Sequence, residues 1–371
     1  MNPVLANTGM ETLTECPLCW TELLTVRATL KVSGWSIMTC PGCGAGITNP
    51  RPTPGEIGRY YRASFFSVRP DARLIPTCQA LLQRKIKPSG FLMTLRSIVL
   101  SEIKFRHDWT LQGGRVRRLL LAPLRRLLAL TYEPIQSLPG KPGVVLDIGF
   151  GRGEFLQRAK RLGWECHGVE VSPTSVEWGR ELGFQAKQFD GSFQEPLDYP
   201  DGCFDLISAN SVLEHVHNPR LLLQECSRLL KPGGTLFLLV PNFACRDKEL
   251  LGEHWRMWYV PQHLFHFTAE NIAMLLAGFG FGPPRVTYKI WYNPYTEKFS
   301  LASLRPTLPA AEFRRVAWQL RIGKRWAYLR GKLTAAQVGP GMALEATKTP
   351  NDSFRQSTAS QPGASAVAAL R

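Results

Sequence analysis

A chain of 371 residues with 44% hydrophobic and 20% charged residues can bury a full core, and its length suggests two domains with appendages. That composition excludes a low-complexity chain. The longest uncharged apolar runs, such as 119–123 and 236–241, fall far short of the roughly 20 residues that span a bilayer. The net charge of +16 is unevenly placed: residues 59–132 carry 15 Lys/Arg against Asp71, Glu102 and Asp108, and residues 301–371 carry 11 against Glu312, Glu345 and Asp352. The middle of the chain is therefore near neutral between basic flanks. Such flanks suit nucleic acid, anionic lipid or a phosphorylated substrate, and also an ordinary solvated surface. The first 15 residues include Glu11 and Glu15 and lack a basic start followed by an apolar stretch, so no secretory signal is read there and a cytoplasmic location is expected.

In chain order, residues 1–58 hold Cys16-Pro17-Leu18-Cys19 and Cys40-Pro41-Gly42-Cys43. Two such pairs can converge on tight turns and place four thiolates around a tetrahedral zinc ion. With every position filled by sulfur, no site remains for water, so the zinc is expected to be structural. Cys78, Cys166, Cys203, Cys226 and Cys245 lack this spacing and read as ordinary thiols. A Pro-rich exit, Asn49-Pro50-Arg51-Pro52-Thr53-Pro54-Gly55, marks a boundary.

Residues 59–140 read as a basic helical linker or cap. Within it, 115–130 alternates basic and leucine blocks and forms a candidate membrane-surface helix. From 141 to 299 the pattern becomes strand, helix, strand, helix. Val144–Ile148, Glu165–Val171, Phe204–Ala209 and Thr235–Val240 read as strands, with helical spacing at Glu154–Leu162 and Pro219–Leu230. This alternation predicts an α/β domain with a parallel sheet covered by helices on both faces. Residues 300–334 read as a basic helical extension and 335–371 as a disordered tail.

The first strand of the α/β pattern ends in Asp147-Ile148-Gly149-Phe150-Gly151-Arg152-Gly153. Glycines there let the chain turn tightly and a ligand approach closely, while the following helix N-terminus offers free N–H groups. Glu170 ends the next strand, 21 positions after Gly149, where an acid can accept both ribose hydroxyls. Dinucleotide-binding proteins share that logic. The alternate-residue glycine spacing, however, differs from their Gly-x-Gly-x-x-Gly fingerprint.

With Asp147 in front of it, this loop resembles motif I of class I S-adenosylmethionine-dependent methyltransferases. The likeness extends to Phe189-Asp190-Gly191, Phe204-Asp205-Leu206-Ile207 and Leu230-Lys231-Pro232-Gly233-Gly234. The resemblance implies a Rossmann-like sheet, preceded here by the zinc segment. It also implies that S-adenosylmethionine is held by Asp147, Gly149, Gly151, Gly153, Glu170, Val171, Asp190, Gly191, Asn210 and Ser211, with the ribose on Glu170 and the adenine near Asp190. The zinc segment together with this domain resembles bacterial proteins related to sugar C-methyltransferases and ubiquinone-biosynthesis O-methyltransferases. The implied acceptor is a small molecule or glycan methylated at oxygen or carbon.

For such an acceptor, His215 and His263 are the candidate proton acceptors. His215 also reads as a support for the cofactor loop, and His263, set among Trp255, Trp258 and Tyr259, as a packing residue. Glu214 with His215 is a weaker candidate pair for a divalent ion. Asp205 reads as a strand-edge residue, and His266-Phe267-Thr268 as a helix start with Thr268 as N-cap, Asn271 lacking the reach for a full capping box. The segment Asn210-Ser211-Val212-Leu213 lacks the Asn/Asp-Pro-Pro-Tyr/Phe sequence of amino-group methylases. An RNA methyltransferase that uses the zinc segment and basic flanks is the alternative, and a non-catalytic module is a third.

Overall fold

The structure is a computed structural model that describes residues 9–23, 30–61, 138, 141–289 and 294–350. The basic stretch 62–137, with its candidate membrane helix and Cys78, lies outside the described residues, as does 351–371.

The N-terminal segment contains strands β1 (Met10–Glu11), β2 (Leu30–Val32), β3 (Trp35–Thr39), β4 (Gly46–Thr48) and β5 (Arg51–Pro52). The α/β region follows with β6 (Val144–Ile148), α1 (Glu154–Arg161), β7 (Glu165–Glu170), α2 (Pro173–Glu181), β8 (Gln185–Gln188), β9 (Phe204–Asn210), α3 (Pro219–Leu229) and β10 (Leu230–Pro241). Local chemistry sets its helix starts. Ser172 and Asn218 accept from the N–H groups of Ser175 and Arg220, and each precedes a proline at the first helical position.

Beyond β10 come α4 (Asp247–Leu251), β11 (Phe265–His266), α5 (Ala269–Ala277), β12 (Arg285–Lys289), α6 (Pro294–Leu304), α7 (Ala310–Trp318), α8 (Lys324–Leu329), α9 (Ala335–Val338) and β13 (Gly341–Thr347). The main sheet has the order β12-β13-β10-β9-β6-β7-β8. Pairings from β8 through β10 are parallel, while β13 runs antiparallel to both β10 and β12. The chain winds outward from β6 to β8, then returns to the other side of β6 at β9. This reversal opens a crevice at the carboxyl ends of β6 and β9, where open α/β sheets bind ligands. Helices cover both faces. Leu146, Ile148, Ile207 and Leu238 pack with Leu222 and Ile272 on one side, and Val145, Leu206 and Phe237 pack with Leu156, Ala159 and Val176 on the other.

Three expectations change. The stretch expected to be a disordered tail supplies β13 within residues 341–347, which inserts between two strands and buries Met342, Leu344 and Ala346. The α/β sheet therefore does not end at residue 299. His266 itself lies in strand β11, pairing with Gly46 of β4, while the helix starts just after it with Thr268 as N-cap, as its sequence predicts. Thr268 and Asn271 do form a reciprocal capping box at α5, because Asn271 Oδ1 reaches the Thr268 N–H at 3.1 Å.

The β4–β11 pairing also builds the cysteine segment into the body of the protein. Cys16, Leu18, Cys40 and Ile47 belong to the same core cluster as Leu146 and Ile207. Gly46 permits the approach: a Cβ there would lie 2.9 Å from Cβ of His266.

Candidate functional site

The turn after β6 needs glycine. Gly149, Gly151 and Gly153 have φ of 67°, 52° and 71°, a region that side chains rarely adopt. A Cβ on Gly149 would strike Val212 Cγ2 at 2.7 Å, whereas a Cβ on Gly151 would meet nothing within 4 Å. The loop is therefore packed on one side and open on the other. Helix α1 begins at Gly153 without a side-chain cap, leaving its first N–H groups to a ligand.

Behind the loop, Asp147 is buried and Oδ1 has no hydrogen-bond partner among the described residues. Burial pushes its carboxyl up to about 8; the Ser208 hydroxyl opposes that rise and the neighbouring Glu170 charge adds to it. Ser208 in turn accepts from Asn210 Nδ2 at 3.2 Å.

Backbone N–H groups orient Glu170. Oε2 accepts from the Gly151 N–H at 2.9 Å, and Oε1 accepts from the N–H groups of Val171 and Ser172 at 2.8 and 3.2 Å. Three donors leave about one acceptor direction unused of the roughly four that a carboxylate offers. Val171 touches the next loop, where its Cγ1 lies 3.1 Å from the position of a Cβ on Gly191. In that loop the exposed Asp190 closes a turn by accepting from the Ser192 N–H and Oγ. Ser211 leaves β9 at φ 51° with its N–H on the Leu239 carbonyl. The fold thus gathers Asp147, the three glycines, Glu170, Val171, Gly191, Asn210 and Ser211 along the carboxyl edge of the sheet. Asp205 lies at the opposite end of β9, where it accepts from Lys231 Nζ and the Val144 N–H.

The other half of the crevice forms after β9. Val212 packs on the glycine loop, and two residues later Glu214 is 1% exposed with neither carboxyl oxygen hydrogen-bonded among the described residues. Burial pushes its carboxyl up to about 8. The Glu214 carbonyl accepts the N–H groups of Leu264 and Phe265, which docks the 259–266 segment beside it. His263 follows from that docking, with Nε2 at 4.0 Å from Glu214 Oε1. Its Nδ1 lies 2.9 Å from the Met257 carbonyl, which can only accept, so Nδ1 carries the hydrogen and Nε2 presents a lone pair toward Glu214. The His215 and His263 rings meet edge to face with centroids 4.7 Å apart. Burial lowers both, His215 to about 4 and His263 well below the usual histidine range, so both rings are neutral at pH 7. Glu214, His215 and His263 offer ligand atoms within 4.8 Å of one another, extending to three residues the donor pair read from sequence for a divalent ion.

The sequence of 371 residues compares with known proteins as follows. The profile of the methyltransferase domain family matches residues 114–283. The chain carries a methyltransferase domain. It is 29% identical over 169 residues to the ubiquinone biosynthesis O-methyltransferase of Maricaulis maris, covering 42% of this chain and 65% of that protein. It is 28% identical over 216 residues to the protein of the same name from Methylococcus capsulatus, covering 53% of this chain and 85% of that protein. Identity to the Xanthomonas oryzae protein of that name is 36% over 102 residues, with 43% of its length covered. Among solved structures, a SAM-dependent methyltransferase from Archaeoglobus fulgidus aligns over 68% of this chain and 99% of its own, at 23% identity and a TM-score of 0.40.

Residues that sequence reasoning did not place in the site come from the cysteine segment. The Tyr61 hydroxyl is 2.9 Å from His215 Nδ1, which also lies 2.9 Å from the Gln262 carbonyl. The Thr48 hydroxyl donates to the His263 carbonyl at 2.8 Å, and the Tyr60 carbonyl accepts from Gln262 Nε2 at 2.7 Å. The α/β domain and the N-terminal segment therefore build this half of the crevice jointly. Only the position of Tyr60-Tyr61 just beyond the Pro-rich exit could have hinted at this.

The cysteine sulfurs converge as their spacing predicts. Cys16 and Cys43 Sγ are 3.7 Å apart and Cys19 and Cys40 Sγ 3.5 Å, too long for a disulfide. Tetrahedral zinc with Zn–S of about 2.3 Å requires sulfur separations of about 3.8 Å, so the donor set fits zinc. The two knuckles share a geometry: Trp20 and Gly44, each following the second cysteine, have φ of 63° and 73° and donate their N–H to the carbonyls of Cys16 and Cys40. Cys166, Cys226 and Cys245 are buried and Cys203 half-buried, without such partners for a metal cluster among the described residues.

Among the described residues, no helix is long and apolar enough to cross a membrane.

Proposed function

We propose that the protein transfers a methyl group from S-adenosylmethionine to an oxygen or carbon of a small-molecule or glycan-type acceptor. The observation that carries this reading is the sharing of one crevice by an open glycine loop and a buried carboxyl–imidazole pair, linked by Val212 packed on Gly149. In this reading Glu170 accepts a ribose hydroxyl, the open side of Gly151 admits the ligand, and the unpartnered Asp147 Oδ1 accepts a hydrogen bond from the amino acid part. Asp190 and Gly191 border the adenine, and Asn210 and Ser211 line the cofactor after β9. S-adenosylmethionine, when bound, supplies an electrophilic methyl on a positively charged sulfur.

The chain's own residues handle the acceptor's proton. Nε2 of His263 carries a lone pair in the neutral ring and takes the proton of an acceptor hydroxyl, while Met257 fixes the tautomer through Nδ1. Glu214 borders the same ring at 4.0 Å, its carboxyl kept protonated at pH 7 by burial. His215, held by Gln262 and Tyr61, forms the wall beside it. The four cysteines hold one structural zinc, which secures the segment that delivers Thr48 and Tyr61 to the acceptor side.

The test supplies methyl-labelled S-adenosylmethionine with three acceptor pools: phenols and catechols, nucleotide-linked sugars, and total RNA. Label is expected in one of the first two. His263→Ala should reduce turnover by about 100-fold or more, within the range for a lost general base, while leaving S-adenosylmethionine affinity unchanged. Label confined to RNA, with binding that weakens steeply as salt rises, would establish the nucleic-acid alternative instead.

A further inference from the structure

The helical hairpin that follows the crevice bears an unusual surface. Along residues 316–326 two rows step by four residues. Val316, Leu320 and Lys324 point inward, at 9%, 1% and 5% exposure; Trp318, Ile322 and Trp326 point outward, at 54%, 44% and 54%. The two rows lie on opposite sides of the helix. Between α7 and α8 the chain makes a π-turn over Gln319–Gly323. Its wider turn offsets the drift that a spacing of four accumulates in an α-helix, so the three outward residues stay aligned. Gly323 has room for the Trp318 ring against its backbone, where a Cβ would clash at 2.7 Å.

Positive charge surrounds this stripe. Residues 310–332 contain seven Lys/Arg and a single acid, Glu312. Arg314 and Arg330 are exposed, as are Arg315 and Arg321, which pair with Glu312 at 3.4 Å and with Glu297 of α6 at 2.6 Å, and the Arg330 guanidinium lies 5.7 Å from the Trp326 ring centroid. The inward side of the helix is satisfied, since Lys324 pairs with Asp247 at 2.5 Å. Two tryptophans and an isoleucine in a row, flanked by arginines, match a bilayer interface. Indole rings settle at the boundary of headgroup and acyl chain, Ile322 enters the apolar layer, and arginines meet anionic headgroups.

We propose that the outward face of residues 314–330 docks on an anionic lipid bilayer, holding the protein peripherally at the membrane surface. The charge around the stripe favours lipid over a second copy of this chain, whose own arginines would repel it. The branched alkyl side chain of Ile322 between the two rings favours acyl chains over stacked bases.

The test uses the full chain and co-sedimentation with phosphatidylcholine vesicles, with and without one third phosphatidylglycerol. Binding to the anionic vesicles should exceed binding to the neutral ones by at least about tenfold and weaken at high salt. The pair Ile322→Asp/Trp326→Ser should lower anionic-vesicle affinity by about tenfold or more at an unchanged melting temperature. In a second variant, Arg314→Gln/Arg315→Gln, which leaves the apolar stripe intact, the loss should be about fivefold per charge. Failure to sediment with anionic vesicles overturns the proposal, as does wild-type binding by both variants. So does a dimer in solution that Ile322→Asp/Trp326→Ser converts to monomer, or tight binding of a single-stranded RNA oligomer that the same variant abolishes.

Discussion

Asp147→Asn probes the cofactor side through stability. The folded state holds this carboxyl at about 8, against a reference value of 3.8, because burial removes water without supplying a partner for Oδ1. An acid raised in this way keeps its proton in the folded chain after the unfolded chain has released it. The unfolded state is then favoured progressively as pH rises from about 4 to about 8. At roughly 1.4 kcal/mol per unit, the group removes about 3 to 4 kcal/mol of stability between pH 5 and pH 8. Asparagine has nearly the same shape, can still bond Ser208 and does not ionise, so the variant lacks that slope. Urea unfolding of both proteins at the two pH values, without ligand, should show the variant gaining about 3 kcal/mol on the wild type between pH 5 and pH 8. A stability difference that stays constant across that range would refute the assignment of Asp147 as a buried, uncompensated acid.

Other consequences follow from the packing. Leu344, fully buried between β10 and β12, should cost about 3 kcal/mol when replaced by alanine, and truncation after Thr334 should abolish cooperative thermal unfolding. Elemental analysis should find one zinc per chain, and Cys40→Ser/Cys43→Ser should eliminate it; because β4 pairs with β11, the change should also lower the melting temperature of the whole protein. Lys324→Ala removes the buried ion pair with Asp247 and should destabilise by about 3 kcal/mol in chemical denaturation, with Asp247→Asn in the same background recovering part of the loss.

The crevice was largely legible in the sequence because its features are local. A β-branched strand, alternating glycines and an acid one strand later occupy a short stretch, and each has a backbone reason to be there. The four cysteines were legible for the same reason. Strand β13 was not: Met342, Ala343, Leu344, Glu345 and Ala346 favour helix intrinsically, and they become a strand only because β10 and β12 leave a slot between them. The half of the crevice beyond β9 was only partly legible. His215 and His263 stand out as residues, but the 4.0 Å approach of Glu214 to His263 and the contact of Tyr61 with His215 depend on two docking events. One is the backbone pairing of Leu264 with Glu214, the other the β4–β11 ladder, and both join segments distant in sequence.

The central claim is that the loop from Asp147 to Gly153 and Glu170 hold S-adenosylmethionine. Isothermal titration of the purified chain with S-adenosylmethionine tests it most directly. One site per chain is expected, with a loss of at least about tenfold in affinity for Glu170→Ala, since that change removes the acceptor for the ribose and leaves the Gly151 N–H without its partner. Absence of binding by the wild type, or equal affinity in the variant, would contradict it.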